Sequence, residues 1–244
     1  MAGNAAKKDI IEIAPIELER CKIKIVGDSS LIMHAWSAKA KRQILEVEIG
    51  TPKTKAREAK NPVEDFVSSM YWLTPMPEEM EYDAVMEAIG NGARFGFPVT
   101  AFKQAAISAA YRMGWAKDKM SLRGAFFIEP TNDGYYSGDL VIGDNKTITI
   151  TPNIFKYEPM VEIFYSELTM REDMVTVGMG SADIRYRGEF HNWSANMTVS
   201  FNKNGKFTMS QVINVINAGG FTCGVGEWRP EKDGQFGMYH VENA

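Results

Sequence analysis

Between Trp36 and Asn61 seven cations, Lys39, Lys41, Arg42, Lys53, Lys55, Arg57 and Lys60, are opposed only by Glu46, Glu48 and Glu58. A run of one sign in an exposed segment can line a track for phosphates. Such contacts release counterions, so affinity falls as salt rises. Two further clusters set cations beside π faces, Arg185-Tyr186-Arg187 and Trp228-Arg229. That combination stacks bases without reading them. Lys103 falls in the first turn of an expected helix, where free backbone N–H groups favour an anion. Each feature has a plain alternative: a solvated face for the basic run, strand and loop packing for the two clusters, an idle surface lysine for Lys103.

Other chemistries find little support. No G-x-x-x-x-G-K-[ST] occurs, and Gly178-Met179-Gly180 leads into an extended segment without a dinucleotide fingerprint. Gly224-Val225-Gly226 runs into Trp228-Arg229-Pro230, where the proline precludes an immediate helix, so a tight turn is expected. There is no G-x-S-x-G and no Cys/His pairing. His34 or His191 could serve as a general base with Asp28 or Asp183, but no spacing requires it. The acidic clusters fall on helix faces rather than as paired metal-binding carboxylates. The expectation is a binding protein without catalytic residues, metal or cofactor.

The chain has 244 residues, 45% hydrophobic and 24% charged, enough for one domain with a substantial core. The net charge of −4 argues against a uniformly basic nucleic-acid binder but permits a local basic stripe. Charge is segregated: the acidic surplus gathers at Glu78, Glu79, Glu81, Asp83 and Glu87. No run approaches the roughly 20 apolar residues of a membrane span. Met1 to Asp9 is small, polar and basic and reads as a flexible tail rather than a secretory leader. Cys21 and Cys223 form no C-x-x-C pair, and Cys21 sits on the apolar side of a strand pattern. A buried thiol in a reducing, cytoplasmic setting is expected.

These residues need elements to position them. Ile11 to Ile25 alternates apolar and charged residues, the period of half-buried strands, and Gly27-Asp28-Ser29-Ser30 turns the chain. A helix is expected over Ser37–Glu48. Asn61-Pro62 then starts one to Leu73, with Phe66, Val67, Met70 and Tyr71 on one face. Glu78–Ile89 and Ala101–Met113, the latter capped by Thr100, follow. Strands are expected over Leu122–Glu129, Asp139–Ile142, Thr147–Thr151, Met160–Ser166, Asp183–Phe190 and Trp193–Phe201. A hairpin at His191-Asn192 would join the last two. A helix over Met209–Asn217, capped by Gly219-Gly220, and a strand over Gln235–Val241 complete the chain. Without insertions the order is βαββαβ, so the expected class is α+β with a ferredoxin-like core. One domain over 1–244 would carry a helical, basic insertion at about 34–96 and a β-hairpin insertion at about 122–170.

Three segments, in order, resemble the RAMP superfamily, the ferredoxin-like backbone subunits of CRISPR effector complexes. They are Cys21-Lys22-Ile23-Lys24-Ile25-Val26-Gly27, Phe97-Pro98-Val99-Thr100-Ala101-Phe102-Lys103-Gln104-Ala105, and the Gly-rich Gly219 to Arg229 with Gly234-Gln235-Phe236-Gly237. In the second, Val99 stands where the family has glycine. Together they cover about a third of the chain, which is also similar in overall style to phage and prophage proteins. The resemblance implies self-association into an oligomer or filament and sequence-independent contact with a strand's backbone. The early insertion would be a thumb-like element. The leading expectation is therefore a cytoplasmic, self-associating protein that binds single-stranded nucleic acid, DNA ahead of RNA, with no membrane. An assembly protein without nucleic acid is the rival, and a nuclease of the same fold the third reading.

Overall fold

The computed structural model describes residues 15–50, 59–178 and 180–242. Lys53, Lys55 and Arg57 of the basic run lie outside the described residues, as do the N-terminal tail and the Ile11/Ile13 repeat. The elements in chain order are β1 (Leu18–Gly27), β2 (Leu31–Ile32), α1 (Ala38–Glu48), α2 (Pro62–Ser68), α3 (Tyr82–Gly90), β3 (Phe95–Pro98), α4 (Val99–Arg112) and α5 (Met120–Arg123). The chain continues through β4 (Phe126–Glu129), β5 (Asn132–Ile142), β6 (Ile148–Ile163), β7 (Glu167–Val177), β8 (Ser181–His191), β9 (Ser194–Asn202), α6 (Met209–Thr222) and β10 (Tyr239–Val241). This is a mixed α/β chain with antiparallel sheets.

One sheet has the order β10-β1-β9-β4, with every pairing antiparallel. Its strands follow the expected alternation. Ile23 and Ile25 of β1, and Ala195, Met197, Val199 and Phe201 of β9, are buried, while Lys22, Lys24 and Asn196 are exposed. Cys21 is only half-buried, and the fully buried thiol is Cys223. Helices α4 and α6 pack on each other, α4 against β4 and α6 against β10. The alanines of α4 permit this close approach. A methyl added at Gly219 would lie 2.8 Å from the Ala106 nitrogen, and one at Gly220 only 1.8 Å from the Tyr239 carbonyl oxygen. These glycines therefore lie inside α6 as contact points, not beyond it as a cap. The rings of Phe102, Trp193 and Tyr239 join α4 to β10, with Phe102 and Tyr239 centroids 5.7 Å apart.

Residues between β4 and β9 form two long hairpins. β5 and β6 pair with each other and β6 also with β3, while β7 and β8 pair with each other and β8 also with β2. The interruption thus runs from the end of β4 to β9, whereas the sequence reading ended it near residue 170 and placed the β4 residues inside it. β5 is one strand to Ile142. Gly134 marks a bulge, where a methyl would meet the Lys156 carbonyl oxygen at 2.0 Å. His191-Asn192 is not a hairpin, because β8 and β9 belong to different sheets. Helix α2 ends at Ser68 rather than Leu73, and Phe95–Pro98 is a strand paired with β6. α3 begins at Tyr82, past the expected start. The last strand is only Tyr239–Val241, the residues before it being tied to Ser29 and Ser30 (Met238 N donates to Ser29 Oγ at 3.0 Å).

Candidate nucleic-acid interface

A groove of about 840 Å³ opens between α1 and β8, and segments far apart in sequence line it. Helix α1 is started by Ser37, whose hydroxyl accepts from Ala40 N at 3.1 Å. This turns Lys39, Arg42 and Glu46 toward the groove. Asn61 caps α2 in the same way, accepting from Val63 and Glu64, which sets Lys60, Asp65 and Ser69 at its edge. The segment beneath is pinned by Met33 N donating to Gly188 O at 3.0 Å and Ala35 N donating to Ser69 O at 2.8 Å. Gly188 allows β8 to come this near, since a methyl there would meet the Met70 sulfur at 2.6 Å. Glu227 arrives from the Gly-rich C-terminal loop, held by Glu227 N donating to Ile32 O at 3.0 Å.

The groove is a lattice of ion pairs rather than a purely positive track. Lys60 Nζ donates to Asp183 at 2.8 Å and to the Ile184 carbonyl, and lies 3.9 Å from Asp65. Arg185 is 3.7 Å from Asp183, and Arg42 is 3.6 Å from Glu46. At the base, Arg187 is only 3% exposed and donates to Asp173 at 3.0 Å. Its other nitrogen stands 3.7 Å from Glu227, which also meets His34 at 3.4 Å. The His34 hydrogen bond holds the Glu227 carboxyl below the usual carboxylate range, with Arg187 and Arg229 adding to the effect against burial. Burial instead pushes the Asp65 carboxyl up, although Lys60 and Lys39 pull the other way. Tyr186 has its hydroxyl raised above the ordinary value by a hydrogen bond to Glu172.

Of the expected site residues, Lys39, Arg42, Lys60, Arg185, Tyr186 and Arg187 meet in this groove. Arg187 differs in role: locked beneath the surface, it organises the pairs and cannot stack on a base. Lys41 points away, against Lys156 and the β5–β6 hairpin, where burial and the neighbouring ammonium lower its pKa. Lys103 is not in the first turn, because α4 starts at Val99. Its ammonium rests 3.8 Å from the Phe127 ring centroid, and burial lowers its pKa. Trp228 and Arg229 lie outside the groove lining. Arg229 is tied to Gly226 O at 2.9 Å and to Glu231 within its own loop.

Sequence reasoning missed Trp36, Asp65 and Glu227 and weighed His34 only as a general base, not as part of this groove. Trp36 was findable: it is 62% exposed, immediately before the helix cap, at the start of the basic run. The proposed acid–base pairs do not form. His34 faces Glu227, and His191 is held between Ser30 at 3.1 Å and Thr169 at 3.0 Å. Asp28 instead pairs with the exposed His240 at 2.6 Å, a contact between residues at opposite ends of the described chain. Among the described residues no three His, Cys, Asp or Glu gather as a metal site, and no helix is long and apolar enough to cross a membrane. No protein-family model and no curated protein matches the chain.

Proposed function

We propose that this chain is a non-enzymatic protein that binds single-stranded nucleic acid along the α1–β8 groove without reading sequence, and that it self-associates. We propose also that β1, α4, β4, β9, α6 and β10 form a ferredoxin-like core with the long hairpins inserted before β9. The strand order β10-β1-β9-β4, with two helices on one face, supports that assignment.

One observation carries the reading. Lys39, Arg42, Lys60 and Arg185, from three separate segments, converge on one groove beside the exposed ring of Trp36 and Tyr186. The carboxylates that pair with them hold the cations in place. A phosphate can replace a carboxylate at the solvent-facing pairs, whose exposure makes the exchange inexpensive. A base freed from its own stack can rest on Trp36. Because the pairs must open, binding is moderate in affinity and sensitive to salt.

Fluorescence anisotropy with labelled single-stranded and duplex oligonucleotides, as DNA and as RNA, tests this across about 50 to 200 mM salt, where phosphate contacts weaken steeply. Saturable binding that favours single strands and weakens with salt is expected. No binding at the low-salt end would reject the reading. An assembly role without nucleic acid would then stand, favoured by the exposed Val141, Ile142 and Tyr157 on the β5–β6 hairpin.

A further inference from the structure

Beyond the groove, one surface combines charge with exposed apolar side chains. Past the end of α4 the chain turns at Gly114 (φ +73) and folds back on its own last turn, with Trp115 N donating to Ala110 O at 2.9 Å. This leaves Trp115 54% and Met120 74% exposed, next to a half-exposed Tyr111. Three cations frame them. Lys119 lies 5.6 Å from the Tyr111 ring centroid and donates to Ser108, while Lys117 and Arg123 are exposed and have no ion pair among the described residues. One carboxylate, Asp118, lies among them and accepts from Ser121 N at 2.8 Å, so three cations face it and the patch is net positive. Large apolar side chains in such a setting suit a partner that is acidic and itself partly apolar.

The same chain carries such a surface. Glu78, Glu79, Glu81, Asp83 and Glu87 are all exposed on and before α3, and none has an ion-pair partner among the described residues. Asp83 and Glu87 repel each other one turn apart, a small but persistent cost. Tyr82 stands exposed among them. Helix α3 packs on α2, whereas α4 packs on α6, β4, β3 and β6, and no ion pair joins the two surfaces within one copy.

We infer that the basic, aromatic surface after α4 docks the acidic face of α3 on a second copy of this chain. Trp115 and Met120 pack around Tyr82, and Lys117, Lys119 and Arg123 meet the carboxylates. The contact joins two different patches, so it is head-to-tail and leaves one free patch of each sign at the ends. It deepens the self-association proposed above, uses neither the groove nor nucleic acid, and is tested apart from them.

The test is sedimentation velocity on nuclease-treated full-length protein over a concentration series at low and high salt. One variant carries Lys117→Glu, Lys119→Glu and Arg123→Glu; a second carries Glu79→Lys, Glu81→Lys and Asp83→Lys. Wild type should associate at low salt and dissociate at high salt, and each variant alone should weaken association roughly tenfold or more. An equimolar mixture of the two should associate again, because each reversed patch then meets its complement. Oligonucleotide anisotropy on both variants should remain at the wild-type value, which separates this surface from the groove. A wild-type protein that stays monomeric at low salt overturns the inference, as does undiminished association in either variant or a mixture that stays monomeric. Pelleting of monomeric wild type with anionic phosphatidylserine vesicles, lost in the first variant, would also overturn it and assign the surface to a membrane.

Discussion

Replacing Lys39 and Arg185 together by glutamine removes two of the four accessible groove cations while sparing the buried base. Arg185 pairs with Asp183 at 3.7 Å on the groove wall and its side chain is about a third exposed, so the fold should survive. Arg187 is excluded from the count because it is sealed beneath the groove. With four phosphates engaged by Lys39, Arg42, Lys60 and Arg185, the slope of log affinity against log salt for a single strand is about −0.7 per contact, or ~−2.8 in all. Between about 50 and 200 mM salt that is a loss of roughly 50-fold. For the double variant the slope falls to ~−1.4 and the loss to roughly 7-fold over the same range. The assay is anisotropy of a labelled thymidine oligomer at each salt, with circular dichroism as the folding control. An unchanged slope in a folded variant refutes the groove as the phosphate track. A wild-type slope much steeper than ~−3 also refutes the reasoning, since cations elsewhere would then dominate.

Other expectations concern how the scaffold is held. Gly220→Ala forces a methyl against the Tyr239 carbonyl oxygen and should cost about 3 kcal/mol or more, seen as a lowered urea midpoint; a wild-type midpoint would contradict the α6–β10 contact. Asp173→Ala should cost about 3–5 kcal/mol by stranding the buried Arg187 guanidinium, whereas Asp173→Leu combined with Arg187→Met should cost less than the single change. Asp65 tests the sign of a half-buried carboxyl in the groove wall. Its folded pKa is raised above 3.8, so ionising it opposes folding, and Asp65→Asn should be more stable than wild type at pH 7. That gain should vanish as pH falls below the unfolded value; a variant less stable than wild type at pH 7 would show that the Lys60 attraction prevails.

Local chemistry was readable wherever period and capping agreed. The alternation in β1 and β9, the Asn61-Pro62 helix start and the buried Phe66, Val67 and Met70 all followed from spacing. Features set by distant partners were not. Phe95–Pro98 becomes a strand because β6 pairs with it, more than sixty residues later in the chain. Gly219 and Gly220 look like a helix stop, and only the closeness of Ala106 and Tyr239 makes them interior residues. Arg187 is expected to stand beside a π face at the surface, yet it pairs with Asp173 beneath the groove. The basic run did point to α1 and Lys60. The carboxylates paired with Lys60, Asp65 and Asp183, come from two other elements, and no single stretch of sequence foretells that meeting. Lys41 shows the limit of counting charges, since the turn of one helix sent it to the opposite face.

Ultraviolet crosslinking of a thymidine oligomer to the full-length protein, with the attached peptides identified by mass spectrometry, locates the strand most directly. The groove account expects the dominant crosslinks on peptides bearing Trp36 and Tyr186, lost when unlabelled single strand competes. Dominant crosslinks at Phe127 on the four-stranded sheet, or at Tyr111 and Trp115 after α4, would place the strand elsewhere and contradict it.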